Sequence, residues 1–117
     1  MKITLGVSGL PHVRGLGDGI QPYHRGIMEV TGWLSDLDRA QAMAKQGIPG
    51  SRPHIEVCFP TVHDPSLAPP GHHVVTIDVN SQPYTLSDGH WDDIKEGIAD
   101  AAVGRLAEVM PDLPGLI

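Results

Sequence analysis

Runs of alternating apolar and polar residues, together with two segments of helical spacing, predict an α+β fold in the order β-β-α-β-β-α. The expected architecture is a mixed or antiparallel sheet of about four strands with two helices packed on one face. Strands with one apolar and one polar face need a cover on one side only, and the two amphipathic helices can supply it. At 117 residues the chain is long enough for one domain, spanning 1–117, and its 40% hydrophobic content supports a core.

Residues 2–8 place Ile3, Leu5 and Val7 against Lys2, Thr4 and Ser8, which is strand periodicity. Residues 9–22, GLPHVRGLGDGIQP, are rich in turn formers and read as a loop, and a second strand is expected from His24 to Thr31. In WLSDLDRAQAMAKQGIPG, residues Leu34, Leu37, Ala40 and Ala44 fall at helical spacing with Trp33 beside them. Ser35 and Asp38 suggest a capping-box start there, and Gly47 and Pro49 a stop. Such a short amphipathic helix should lie on the sheet. Residues 53–59 and 72–80 alternate again, and the loop between them, 60–71, contains Pro60, Pro65, Pro69 and Pro70. Asp64-Pro65 favours a turn start and Pro70-Gly71 an end, so this loop is expected to hold one shape.

The last element is a helix from about Trp91 to Met110, with Trp91, Ile94, Ile98, Ala101, Leu106 and Val109 on one stripe. Ser87 or Asp88 is the expected cap, with Asp92, Asp93 and Glu96 near the positive end of the dipole, and Pro111 ends the helix. Gly97 and Gly104 each weaken it by about 1 kcal/mol relative to alanine, which predicts compensation by close packing on the sheet.

Fourteen acids against eight Lys and Arg give a net charge of −6, which argues against a nucleic-acid or anionic-membrane partner. One Phe, two Trp and two Tyr leave little material for base stacking. The single cysteine, Cys58, cannot form an internal disulfide, and no apolar run approaches membrane length, so a cytoplasmic location is expected. The strand-like KITLGV directly after Met1 and the apolar PDLPGLI at the other end suggest a piece cut from a longer protein. Leu113, Leu116 and Ile117 would be exposed there unless something covers them.

The seven histidines include no pair at the i, i+4 spacing of a helical zinc site, and adjacent His72 and His73 face opposite sides of a strand. His54 and Cys58 share a face but lie about 13 Å apart along it, so no metal ligand set is assigned. GLGDGI at 15–20 is followed by Gln21-Pro22 rather than an opening helix, so it reads as a loop and not a dinucleotide cradle. GVSGL at 6–10 lacks the second glycine of a nucleophile elbow. His63, Asp64 and Ser66 are too crowded for a catalytic triad. The polar strand face, carrying Thr4, Ser8, His54, Glu56, Cys58, Thr76, Asp78 and Asn80, has two readings. It is either the solvated side of an antiparallel sheet or the ceiling of a cavity that another domain completes.

Several stretches resemble the middle of the phytoene desaturase-like (phytoene dehydrogenase-related) FAD-dependent oxidoreductases. They are MKITLGVSGLP at 1–11, QPYHRGIMEV at 21–30, RPHIEVCFPTVHDPSLAPPGHHVV at 52–75 and QPYTLSDGHWDD at 82–93. DPSLAPPGHHV following an IEVCFPT strand is the most specific part. In that family a substrate-binding domain is inserted between flavin-binding segments, with a mixed sheet, helices on one side and the other face toward flavin and substrate. The resemblance therefore implies a substrate-binding domain without its flavin segments, whose parent uses FAD to remove hydride from a hydrophobic substrate. FAD would reside in the full-length parent and none in this chain alone, which would be inactive. The partners implied are the parent's FAD-binding domain and a small-molecule substrate.

No catalytic residue is assigned. The residues in matching motifs on or beside the sheet, expected to line the substrate cavity, are His24, Arg25, Glu56, Thr61, Gln82 and Tyr84. The alternative is a free-standing α+β module that dimerises through the exposed sheet and binds a small apolar ligand; a histidine-based metal protein comes third.

Overall fold

A computed structural model describes residues 1–117. Strands β1 (Lys2–Val7), β2 (Met28–Val30), β3 (Ile55–Cys58) and β4 (His73–Val79) form one sheet in the order β1-β4-β3-β2. All three pairings are antiparallel, which resolves the choice between a mixed and an antiparallel sheet. The strand farthest in sequence from β1 is thus its neighbour. The ladder continues past its end, because the Met1 amine donates to the Val79 carbonyl at 2.8 Å and the Val79 N–H to the Met1 carbonyl at 2.7 Å.

The period-two alternation sorts the side chains as the pleat requires. Ile3, Ile77, Val57 and Met28 form one cross-strand row, and Leu5 opposes Val75 while Ile55 opposes Val79 and Val30. Val7, Ile55, Val57, Phe59, Val75, Ile77 and Val79 are buried on this face. The opposite face carries a row of Lys2, Asp78, Glu56 and Glu29, and a second of Thr4, Thr76 and Cys58.

Helix α1 spans Leu34–Lys45 and α2 spans Trp91–Ala107; a single turn, α3, spans Leu113–Leu116. Helix α2 covers the apolar face with Ala102 and Leu106, and Met110 and Leu113 complete the core behind it. Within the expected stripe, Ala102 takes the inward place and Ala101 is exposed, because the turn that faces the sheet is set by Leu106 one helical step on. Helix α1 buries Ala40 and rests it on Gly50, where an added Cβ would stand 3.1 Å from the Ala40 Cβ. Trp33 and Leu34, placed on its apolar stripe by spacing, are 83% and 73% exposed.

Four local expectations are corrected. The strand expected from His24 to Thr31 is only Met28–Val30, because Pro22 opens a 3-10 turn, Pro22–Arg25, that takes up His24. The start of α1 is set by Trp33, whose N–H donates to the Asp36 carboxylate at 3.0 Å, rather than by Ser35 and Asp38. Helix α2 is capped at His90, not at Ser87 or Asp88. The Ser87 N–H and hydroxyl instead tie down the Gly47 carbonyl behind α1, at 2.9 and 3.3 Å. Nor do Gly97 and Gly104 permit close packing: a Cβ at either would meet nothing within 4 Å.

The proline-rich loop holds a defined shape through two 3-10 turns, Pro60–Val62 and Pro65–Leu67. Asp64 caps the second, its Oδ1 accepting from the Ser66 N–H at 3.0 Å and the Ser66 hydroxyl at 2.6 Å. These bonds hold the exposed Asp64 carboxyl below its usual range. At the other end Gly71 adopts φ +81°, open to glycine at little cost. Within the last residues Leu113 is fully buried, Leu116 is partly buried and its carbonyl accepts from the Ser8 N–H at 2.8 Å, and Ile117 stays 59% exposed.

Candidate functional site: the open sheet face and its two ends

The antiparallel pairing of β3 with β4 puts the start of one beside the end of the other, and this divides the six residues expected to share a cavity. Glu56, Gln82 and Tyr84 belong to the end where β3 begins and β4 finishes. His24, Arg25 and Thr61 belong to the opposite end, where β3 runs into the proline-rich loop.

At the first end, Glu56 on the polar face accepts a hydrogen bond from Asn80 Nδ2 at 3.0 Å, and His54 Nε2 lies 3.5 Å from the same oxygen, Oε1. Gln82 Nε2 donates to the Asn80 carbonyl at 3.4 Å. His54 Nδ1 and Gln82 Oε1 are buried and have no hydrogen-bond partner in the protein. Most buried polar atoms are bonded, so two unmet ones within a four-residue cluster mark an incomplete network. Beside it, Gln82, Pro83, Tyr84, Trp91 and Met1 line a shallow cavity of about 430 Å³. Tyr84 is fully exposed, and its carbonyl accepts from Trp91 Nε1 at 3.2 Å. The corner thus combines a carboxylate, an unmet ring nitrogen and amide oxygen, and an apolar, aromatic wall. This suits orientation of a small molecule with a polar end.

At the second end the side chains of His24 and Thr61 are engaged within the chain, and that of Arg25 is not. His24 is fully buried. Its Nδ1 accepts from the Gln21 N–H at 2.9 Å, so Nε2 carries the proton donated to the Pro11 carbonyl at 2.8 Å. The ring stands edge-on to Phe59 at 4.9 Å and beside Tyr23 at 4.1 Å. Burial pushes its pKa below the ordinary 6.5, the charges of His12 and His73 act in the same direction, and the hydrogen bond to the Pro11 carbonyl acts against them. Thr61 is 4% exposed, accepts from the Val74 N–H at 3.2 Å and bonds His73 Nδ1 at 3.0 Å. Arg25 is exposed, and only its backbone carbonyl is engaged, by His63 Nε2 at 3.1 Å.

Sequence reasoning placed His54 and Asn80 on the polar face but did not count them as site residues; each lies one same-face step from an acid, His54 from Glu56 and Asn80 from Asp78, and that was the available signal. No group of three or more His, Cys, Asp or Glu side chains converges to hold a metal ion. No helix is long and apolar enough to cross a membrane.

No protein-family model matches the chain, and no solved structure matches it. Among curated proteins it is similar to the pyridine nucleotide-disulfide oxidoreductase domain-containing protein 2 of Rattus norvegicus. The identity is 38% over 103 residues, covering 81% of this chain and 17% of the relative. The protein of the same name from Mus musculus is 38% identical over 95 residues, covering 75% of this chain and 16% of the relative. The chain therefore spans about one-sixth of the length of these curated relatives. The matched segment belongs to proteins named for a pyridine nucleotide-disulfide oxidoreductase domain.

Proposed function

We propose that this chain is the substrate-binding part of an FAD-dependent oxidoreductase of the phytoene dehydrogenase-related kind, inactive alone. Its open sheet face would lie over a largely hydrophobic substrate. The observation that carries this reading is the incomplete polar cluster of His54, Glu56, Asn80 and Gln82 at the end of that face. The oxidoreductase-domain relatives support it.

The residues of this chain do not themselves fit FAD. Gly15, Gly17 and Gly19 take φ of +81°, +86° and +73° in an exposed loop that leads into a 3-10 turn and opens no long helix toward a diphosphate. The flavin, which supplies the hydride acceptor when bound, would be held by other segments of a longer polypeptide. What this chain contributes is orientation and exclusion of water. Asn80 and His54 both meet Glu56 at Oε1, which leaves Oε2 uncommitted within the chain for a substrate donor. The Tyr84–Trp91 wall would receive the apolar part.

Hydrogen exchange tests the reading by comparing this chain alone with the full-length polypeptide carrying its FAD-binding segments. Residues 54–58 and 76–82 are expected to gain protection in the full-length protein, while the 117-residue chain shows no saturable quenching of FAD fluorescence. Unchanged exchange in these segments, or tight FAD binding by the isolated chain, would sink it. Protection already present in the isolated chain, together with a stable dimer, would favour the self-associating module.

A further inference from the structure

Helix α2 carries a feature that neither the core nor the open face uses. Arg105 is 9% exposed, and its Nε and Nη1 are buried without a hydrogen-bond partner. A guanidinium cannot escape this situation by losing its proton, so its burial calls for an anion. The chain provides none: Glu108, on the rim of the same cavity, pairs with Arg52, Nη2 to Oε2 at 3.9 Å.

Arg105 lines a cavity of about 470 Å³ between α2 and residues 49–53, within the size range of small-molecule sites. Pro49, Pro53, Ile55 and Ile98 give it apolar walls. Gly97 and Gly104 also line it, and a Cβ at either would enter empty space. Two residues that weaken the helix therefore keep this groove wide. Ile55 points to the helix side of the sheet and Glu56 to the open side, so this cavity and the polar cluster are separate sites on opposite faces.

We propose that the cavity between α2 and residues 49–53 binds an organic carboxylate, its anionic head on the Arg105 guanidinium and its apolar body against Pro49, Pro53, Ile55 and Ile98. With Nε and Nη1 closed off, Nη2 is the guanidinium nitrogen left for a carboxylate to reach, and a turn of the side chain would present the full fork, which matches a carboxylate in shape and charge. Arg52 and Arg105 against Glu108 leave one positive charge, which a monoanion balances. The proposal does not depend on the flavoenzyme reading.

The test titrates the isotope-labelled 117-residue chain with octanoate and benzoate, and separately with 1-octanol and inorganic phosphate. Octanoate or benzoate should shift the Arg105 Nε–H resonance and the amides of Gly97, Ile98 and Gly104 saturably at millimolar concentration. Arg105→Gln should weaken binding by about tenfold or more, and Arg105→Lys, which keeps the charge without the fork, by less. Both variants should remain folded, since the side chain makes no hydrogen bond to lose. The inference is overturned if neither carboxylate shifts these resonances, if 1-octanol binds as tightly as octanoate, or if Arg105→Gln binds like the parent. Binding of phosphate in place of either carboxylate would likewise overturn the assigned ligand class. Should a variant fail to fold, the Arg105 Nε–H resonance of the unaltered chain decides alone.

Discussion

Adjacent residues of β4 should respond to substitution in opposite ways, because this strand, like β3, lies between two other strands and has one buried and one open face. Ile77 is fully buried, flanked in register by Ile3 and Val57. Replacing it with alanine removes about three methyl or methylene groups, or about 2.4 kcal/mol of transfer free energy at ~0.8 kcal/mol each. The cavity left in a sheet fixed on both edges raises the expected loss toward about 4 kcal/mol. Asp78, one residue on, lies on the polar face, 45% exposed, with Lys2 Nζ 4.0 Å away and itself 65% exposed. An ion pair so open contributes about 0–1 kcal/mol. Asp78 also stands in register with Glu56, itself opposite Glu29, so loss of its charge relieves a like-charge row. Asp78→Asn should therefore change stability by no more than about 0.5 kcal/mol in either direction. Urea unfolding followed by circular dichroism measures both, with the Ile77→Ala midpoint expected to fall by about 1–2 M. A loss below about 1 kcal/mol for Ile77→Ala, or equal losses for the two variants, would refute the assignment of the faces.

Other perturbations probe particular contacts. His24 has a folded pKa below its ordinary 6.5, so its stabilising contribution is complete above about 6.5 and is lost as pH falls from there toward the folded value. The urea midpoint should drop across that window in the parent chain and drop less in His24→Gln; parallel curves would remove His24 as the cause. Thr61→Val strands the Val74 N–H and the His73 ring nitrogen, at a cost of about 1–3 kcal/mol, whereas Thr61→Ser should cost under half of that; equal effects in urea unfolding would point to packing instead. Gly97→Ala and Gly104→Ala should each stabilise the chain by about 0.5–1 kcal/mol, since the added Cβ meets nothing; a lower melting temperature would mean the groove is not open.

Alternation made β1, β3, β4 and the open face legible from sequence alone, because a strand with a single buried side must repeat every second residue. Sequence reading draws the second strand back as far as His24, beyond the Met28–Val30 that forms it; what overrides the strand there is Pro22 and a ring nitrogen accepting from Gln21, which only the three-dimensional contact with Pro11 explains. The division of the six site residues was not legible, since it depends on β3 and β4 being antiparallel neighbours across a loop of unknown path. Motif matching groups residues by their place in the chain, whereas the sheet separates Glu56 from Thr61 by the length of β3. Arg105 was invisible for a different reason. A lone arginine one position off a helix stripe reads as solvated, and nothing local signals that residues 49–53 will fold over it.

The unmet polar atoms make the strongest case that this fold is not arranged for stability alone. Buried side-chain atoms without partners occur on only four residues, His12, His54, Gln82 and Arg105. Two of them meet around Asn80 and Glu56 at the end of the open face, and a third is the guanidinium in the cavity beside α2. Each such atom costs free energy that an apolar residue of similar size would avoid, and the core shows that this chain fills buried space with Ile, Val and Leu where nothing else is required. The α2 cavity repeats the pattern in its backbone, with two glycines that weaken a helix and gain no contact in return. Three of the four residues fall at two places on opposite faces of one sheet, and only His12, beside Asp112, lies at neither. Two sites whose polar groups are completed by ligands would account for those three.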